Sequence, residues 1–193
     1  MKRRKYLLWS VPGLALLVLL SGVPVQAEAP AQAKAQAQVN QAQMVEKIRS
    51  ALLKLPYYGV FDYLEFSIDG RTVTLNGYAT RTSLKKDAQA AVHEVKGVEE
   101  VVNNIQILPL SPADDRIRRA LFRSIYGTPA LQRYAIGPNP PIHIIVSNGN
   151  VKLEGVVPNE NDKNIAGIQA RGVGGTFKVE NNLHVESESA KAE

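Results

Sequence analysis

Four arginines near the middle of the chain have the type and spacing that most clearly indicate a binding chemistry. They are Arg116, Arg118, Arg119 and Arg123. In a helix of 3.6 residues per turn, Arg116, Arg119 and Arg123 share one stripe opposite Ile125. Phe122 also lies off the core face, between Arg118 and Arg119 in angle. Basic side chains bordered by an exposed aromatic ring fit the surface of an anionic phospholipid membrane, which is our prediction for these five residues.

A second interpretation of this helix needs no ligand. Asp114 and Asp115 precede the arginines in the chain, at the predicted start of the helix. The helix dipole favours carboxylates at that end. The arginines then form a solvated face whose charge the two aspartates balance, and the sequence alone leaves both interpretations open.

An aromatic loop formed by Tyr57, Tyr58 and Phe61 is the second candidate site. Aromatic rings are typical of both hydrophobic cores and protein-binding surfaces. We predict that these three residues contact a protein partner, and burial in the core is the alternative.

Residues for catalysis or metal binding do not cluster in the sequence. His93, His143 and His184 fall on different predicted elements, with no carboxylate or second histidine at ligand spacing. No serine stands in a nucleophile-elbow context, and no Gly-rich loop opens a helix for a phosphate. The absence of cysteine excludes disulfides, thiol catalysis, Cys-ligated zinc and a lipidated N-terminal cysteine. We therefore expect no enzyme activity, no metal and no cofactor.

The formal net charge of +5 is concentrated at the N-terminus. Lys2, Arg3, Arg4 and Lys5 carry most of it, and the rest of the chain is nearly neutral. A nearly neutral protein has no global field that attracts a polyanion. We therefore expect no nucleic-acid partner, and any binding of anions must be local.

Residues 1–27 resemble an export signal. A basic start precedes an apolar run from Leu7 to Leu20, and Val25-Gln26-Ala27 forms a small-residue cleavage site. The run is shorter than the roughly 20 residues that span a bilayer. We predict cleavage after Ala27 and a periplasmic or secreted protein, with an uncleaved membrane anchor as the alternative. Residues 28–43, rich in Ala and Gln, are predicted to be a linker or tether, with transient helix as an option.

The rest of the chain contains one stretch twice. A shift of 78 residues, which places Val73 on Val151, aligns identical residues at Val73, Leu75, Gly77, Lys85, Ala88, Val95, Gly97, Val101, Asn103 and Asn104. Apolar periodicity predicts the order α-β-β-α-β for each copy. The fold class is therefore α+β, with two tandem units that each pack two helices on a small three-stranded mixed sheet. The predicted domains are 44–110 and 112–186, and residues 187–193 form a polar tail.

The repeated residues resemble the BON domain of bacterial envelope proteins. Repeat 1 carries Gly70, Val73, Leu75, Gly77, Val95, Gly97, Val98, Val101, Asn103, Asn104 and Ile105, and repeat 2 keeps Val151, Leu153, Gly155, Gly175, Val179, Asn181 and Leu183. Repeat 2 departs from the pattern at Thr176, which stands where repeat 1 has Val98. The resemblance implies a compact fold without enzymatic activity that binds phospholipid or envelope protein. Its lipidated members carry a cysteine after the signal, so lipoprotein anchoring does not extend to this chain.

We therefore expect a non-enzymatic envelope protein that binds anionic phospholipid, with a role in envelope maintenance or the stress response. The alternative is a protein-binding or chaperone-like module for periplasmic or outer-membrane proteins. The paired asparagines are expected to bond nearby backbone where the chain enters the last strand of each unit. The glycines at the hairpin ends are expected to serve backbone geometry. The sequence does not determine the oligomeric state.

Overall fold

The structure, a computed structural model, describes residues 28–137 and 139–186, with side chains from residue 38 onward. Contacts divide the chain into the units Met1–Gln38 and Val39–Glu193. The predicted export signal lies outside the described residues. No helix within the described ranges has both the length and the apolar character needed to cross a membrane.

Helix α1 (Glu28–Leu53) begins within the predicted linker. The role of residues 28–43 as a linker or tether stays a prediction. Ala, Gln, Lys and Glu are strong helix formers, and a helix that has been nucleated extends at little cost. In the second unit, α1 buries the side chains of Ile48 and Leu52.

The elements after α1 complete domain 1. They are β1 (Tyr63–Asp69), β2 (Thr72–Ala79), α2 (Thr82–His93), β3 (Glu100–Asn103) and β4 (Gln106–Ile107). Strand β2 is central: it pairs antiparallel with β1 and parallel with β3 and β4. Apolar residues of the two helices and the sheet form one core, which includes Ile48, Leu75, Leu84 and Ile105.

Domain 2 repeats this order after a short connection. Its elements are α3 (Pro112–Tyr126), a 3-10 helix (Gln132–Ala135), β5 (Ile142–Ser147), β6 (Asn150–Val157), α4 (Glu160–Arg171), β7 (Lys178–Asn181) and β8 (His184–Val185). Strand β6 pairs antiparallel with β5 and parallel with β7 and β8. The core includes Leu121, Ile125, Ile144 and Leu153. The two tandem α+β units predicted from the repeat are confirmed.

The third strand of each domain is broken at the paired asparagines. Asn103 ends β3, where its side-chain amide donates to the carbonyl of Lys85 on α2 at 2.8 Å and its Oδ1 accepts from the N–H of Ile105 at 3.2 Å. Asn181 makes the same two bonds to Lys163 and Leu183. The asparagines thus bond nearby backbone as predicted, but they sit within the last strand. At the break, the asparagine side chain rather than the central strand accepts the N–H of Ile105 or Leu183.

One repeated glycine in each domain is required by space and by backbone angle. Gly77 and Gly155 have φ of 120° and 123°. A Cβ on Gly77 would lie 2.0 Å from the carbonyl oxygen of Tyr63, and one on Gly155 would lie 1.9 Å from that of Pro141. Only glycine tolerates both conditions. These repeated positions therefore serve the fold, as predicted.

Candidate functional site: a basic surface on helix α3

Helix α3 carries the predicted basic site, and its limits follow from its sequence. The Ser111 hydroxyl caps its start by accepting the N–H of Asp114, and Pro112 occupies the first turn, where proline costs nothing. Leu121 and Ile125 lie on the buried face and pack into the core of domain 2. The opposite face is open to solvent.

Three of the predicted arginines form a single exposed surface. Arg116, Arg119 and Arg123 are exposed and line one groove of about 580 Å³, together with Gly174 and Gly175 from the turn before β7. No carboxylate of the described chain lies within 4 Å of their guanidinium groups. We call these three residues the α3 basic surface.

One of the two aspartates at the start of α3 is held away from this surface. Asp114 is buried, and its carboxylate accepts the N–H groups of Asn148 and Gly149 at 2.9 Å each. Asp115 pairs with Arg118 at 2.5 Å. Asp114 is therefore engaged elsewhere, whereas Asp115 also lines a hollow with Arg116 and Arg119 and offsets part of their charge.

Arg118 does not belong to the exposed surface, and its prediction as a membrane contact was wrong. The side chain is buried, with the residue 5% exposed. Its guanidinium donates to the carbonyl of Val146 on β5 at 2.7 Å. Arg118 is seven residues before Ile125, which places both on the same face of a helix. That spacing is the sequence signal that indicates its burial.

Phe122 is also turned toward other residues rather than toward open solvent. Its ring packs against Tyr126 at a centroid distance of 5.0 Å and, edge to face, against Phe61 at 6.3 Å. Phe122 is 37% exposed, so part of the ring is accessible. Its predicted contact with a membrane stays a prediction.

Part of the aromatic loop packs between the two domains. Val60 and Phe61 pack on the core of domain 2, and the carbonyl of Val60 accepts the N–H of Ile144 on β5 at 2.8 Å. Tyr58 stacks on His143 of β5 at a centroid distance of 5.4 Å. Tyr58 and Phe61 are therefore partly covered by the second domain. Their predicted contact with a protein partner stays a prediction. We call this region the domain joint.

Burial in the domain joint changes the titration of its side chains. Burial raises the pKa of Tyr58 to about 12. Burial also lowers the pKa of His143, although a bond to the Gly59 carbonyl acts in the opposite direction. At neutral pH both side chains are therefore uncharged. Tyr57, in contrast, is 68% exposed beneath the guanidinium of Arg81, and its predicted partner contact stays a prediction.

Two exposed apolar residues that the sequence did not reveal lie near the N-terminal end of α3. Leu110 is 96% exposed and lines a hollow with Arg116 and Arg119. Phe177 is 87% exposed, and its N–H donates to the carbonyl of Gly149, the residue whose own N–H is held by Asp114. Both residues therefore lie at the N-terminal end of α3. Neither belongs to a periodic pattern, so no sequence signal distinguishes them from loop residues.

The histidines do not form a site in the structure. His93 and His184 are exposed, while His143 is buried in the domain joint. Among the described residues, no group of three or more His, Cys, Asp or Glu side chains is placed to hold a metal ion.

Comparison with known proteins identifies the family. The family described as "BON domain" matches residues 40–109 and 114–187, so the chain belongs to the BON-domain family, with two copies in tandem. BON domains are generally non-catalytic binding domains, and the family indicates an envelope or membrane-associated role. No curated protein matches the chain.

Two similar solved structures are of CdsD, a structural protein of the type III secretion system of Chlamydia trachomatis. One is 11% identical, with a TM-score of 0.31, and the match covers 78% of this chain and 97% of that one. The other, the CdsD C-terminal domain, is 12% identical, with a TM-score of 0.27, and the match covers 74% and 96%. Likenesses at these TM-scores carry no argument about this chain.

Proposed function

We propose that this chain is an exported, non-catalytic envelope protein that binds anionic phospholipid membranes peripherally through the α3 basic surface of domain 2. The observation that carries the proposal is the alignment of Arg116, Arg119 and Arg123 along one groove, with no carboxylate of the described residues within 4 Å of their guanidinium groups. The physiological purpose, envelope maintenance or a response to stress, follows from the family resemblance.

The composition of the surface favours a lipid bilayer over a small soluble anion. Basic residues near anionic headgroups contribute about 1 kcal/mol each, so the three arginines contribute about 3 kcal/mol. Leu110 and Phe177 at the N-terminal end of α3 provide apolar side chains that can enter the boundary between headgroups and acyl chains. A bilayer satisfies both kinds of group at once, whereas free phosphate satisfies the arginines alone.

Vesicle co-sedimentation tests the proposal. The full chain is mixed with vesicles of phosphatidylcholine alone or with added phosphatidylglycerol, and the bound fraction is measured. We expect stronger binding to the anionic vesicles, and a loss of about 100-fold in affinity for the triple variant Arg116→Gln/Arg119→Gln/Arg123→Gln. The apolar run from Leu7 to Leu20 can itself associate with vesicles. All proteins compared therefore contain this run, so that its contribution is the same in each measurement.

The matched control removes the same charge from domain 1. Lys47, Lys86 and Lys96 are exposed, and Lys47→Gln/Lys86→Gln/Lys96→Gln changes the net charge by the same amount. Its affinity for anionic vesicles should fall far less than that of the α3 variant. Equal losses in both variants, or binding that ignores the lipid charge, would refute a specific role for α3.

A further inference from the structure

Domain 1 and domain 2 differ at the outer edge of the first strand of each sheet. The hairpin pairs Asp69 with Thr72 and Ser147 with Asn150 next to two-residue turns. The two residues of such a pair bond to each other across the hairpin. The residue directly before the pair on the first strand therefore directs its backbone groups away from the central strand, and so does every second residue before that one. These outward residues are Leu64, Phe66 and Ile68 on β1 and Ile142, Ile144 and Val146 on β5.

Domain 2 closes its edge with three hydrogen bonds. They are Tyr126 hydroxyl to Ile142 carbonyl at 2.5 Å, Arg118 guanidinium to Val146 carbonyl at 2.7 Å, and Ile144 N–H to Val60 carbonyl at 2.8 Å. The first two donors come from α3 and the acceptor at Val60 comes from the domain joint. The side chains of Ile142, Ile144 and Val146 are fully buried as a result.

The corresponding helix of domain 1 has no donors at these two places. Gly97 of repeat 1 corresponds to Gly175 of repeat 2. Met44 lies next to Gly97, and Ile117 lies next to Gly175, so Met44 of α1 corresponds to Ile117 of α3. Counting onward, Val45 stands where α3 has Arg118, and Leu53 stands where α3 has Tyr126. Neither Val nor Leu can donate a side-chain hydrogen bond.

The edge of β1 is consequently open. In the part of the chain that the structure describes, no hydrogen bond reaches the carbonyls of Leu64 and Ile68 or the N–H of Phe66. At one end of the edge, the Tyr58 hydroxyl interacts with the backbone of Leu64. A groove of about 470 Å³ runs between this edge and α1, and its lining includes Val45, Leu52, Leu53, Leu64, Phe66 and Ile68. The three strand residues are only partly buried, unlike their counterparts in domain 2.

We propose that this groove binds an extended apolar segment of another polypeptide, which adds as a strand to the edge of β1. Domain 2 shows the kind of occupant, because Val60 and Phe61 cover the equivalent edge with a backbone carbonyl and two apolar side chains. The groove is also continuous with that interface, since Tyr58 lines the groove and packs in the domain joint. An acyl chain would fill the apolar lining but leave the three backbone groups unpaired, which disfavours lipid as the occupant.

A backbone-modified peptide tests strand addition. The full chain is titrated with a fluorescein-labelled Thr-Val-Thr-Val-Thr-Val-Thr peptide and with the same peptide N-methylated at alternate residues, on the edge that would face β1. We expect saturable binding of the first peptide, about tenfold weaker binding of the second, and slower amide exchange at Phe66 in the complex. No binding up to about 1 mM peptide, or equal binding of both peptides, would overturn the proposal.

Transplanting the donors of domain 2 provides a second test. The variant Val45→Arg/Leu53→Tyr should close the edge and weaken peptide binding about tenfold without lowering the melting temperature. The matched control is Ile168→Arg on α4, which alters an exposed apolar residue of the other domain and should bind the peptide as the unmodified chain does. Unchanged binding by the double variant would contradict the proposal. Self-association is measured by analytical ultracentrifugation. If the unmodified chain and the control variant self-associate and the double variant does not, the occupant of the groove is a second copy of the chain, which would also contradict the proposal.

Discussion

Replacing Asn103 by alanine should destabilise domain 1 by about 2 kcal/mol, because this side chain joins α2 to the broken third strand. Asn103 donates to the Lys85 carbonyl at 2.8 Å and accepts from the N–H of Ile105 at 3.2 Å. A net value of about 1 kcal/mol for each hydrogen bond gives the estimate, and the loss corresponds to a fall of roughly 10 °C in melting temperature for a domain of this size.

Asn104 provides the control, because it is the neighbouring residue of the same type. Its side chain is exposed and makes no hydrogen bond among those of the described residues. Asn104→Ala should therefore change the free energy of unfolding by less than about 0.5 kcal/mol. Urea unfolding followed by circular dichroism at 222 nm measures both variants. Equal effects of the two substitutions would refute the assignment of Asn103 as the residue that connects helix and strand.

Two further predictions concern domain 2 and the domain joint. Gly167→Ala should lower the melting temperature of domain 2, because the added Cβ would lie 2.8 Å from the Nδ2 of Asn181. Helix propensity alone predicts the opposite, since alanine favours helices. An increase in the melting temperature, measured by thermal denaturation, would contradict this prediction. The domain joint should weaken as the pH falls. Burial holds the pKa of His143 below its usual value of about 6.5, so below that pH the open form takes up a proton more readily than the closed one. The amide protection factor of Ile144 should then decrease between about pH 7.5 and pH 5, and decrease less in His143→Phe; a constant factor would show that His143 does not control the joint.

The negative side chains near His143 oppose this pH effect without reversing its sign. Asp62 favours the protonated imidazole, but desolvation is the larger influence on the pKa of His143. Glu154, on the adjacent strand, has a pKa raised by burial, so its protonation stabilises the folded state at low pH. His143→Phe separates the two contributions because it keeps an aromatic ring beside Tyr58 and cannot titrate.

The fold could be predicted from the sequence because its determinants are local and occur twice. Gly77 and Gly155 provide a positive φ, and Asn103 and Asn181 bond the backbone at the break in the third strand. Each of these features occurs at the same spacing in both copies. The family resemblance rests on these residues. They describe a scaffold and carry no information about a ligand.

The site was only partly predictable because exposure depends on what the other domain covers. Helical periodicity identified Arg116, Arg119 and Arg123, since their stripe faces away from the core of their own domain. Tyr58 and Phe61 looked like a free aromatic surface, because their partner is a strand about 80 residues later in the chain. The helical wheel of α3 places Arg118 beside Ile125. Its hydrogen bond to the Val146 carbonyl can be recognised only when the outward-facing backbone groups of β5 are known.

The two surfaces proposed here lie on different domains and make separate demands on a partner. The α3 basic surface requires negative charge near an apolar boundary, whereas the β1 groove requires an extended backbone. A variant of one surface should therefore leave binding at the other unchanged. Additivity of the two sets of substitutions in vesicle and peptide binding is the expected result.

The insertion of Phe177 into an anionic bilayer tests the central claim most directly. The chain has no cysteine, so Phe177→Cys can carry a single environment-sensitive dye, and Ile107→Cys on β4 of domain 1 is an exposed control position. We predict a blue shift of the dye at position 177 with phosphatidylglycerol vesicles, none at position 107, and loss of the shift when Arg116, Arg119 and Arg123 are replaced by glutamine. The same response at both positions, or no shift at position 177, would contradict membrane binding through the basic surface of α3.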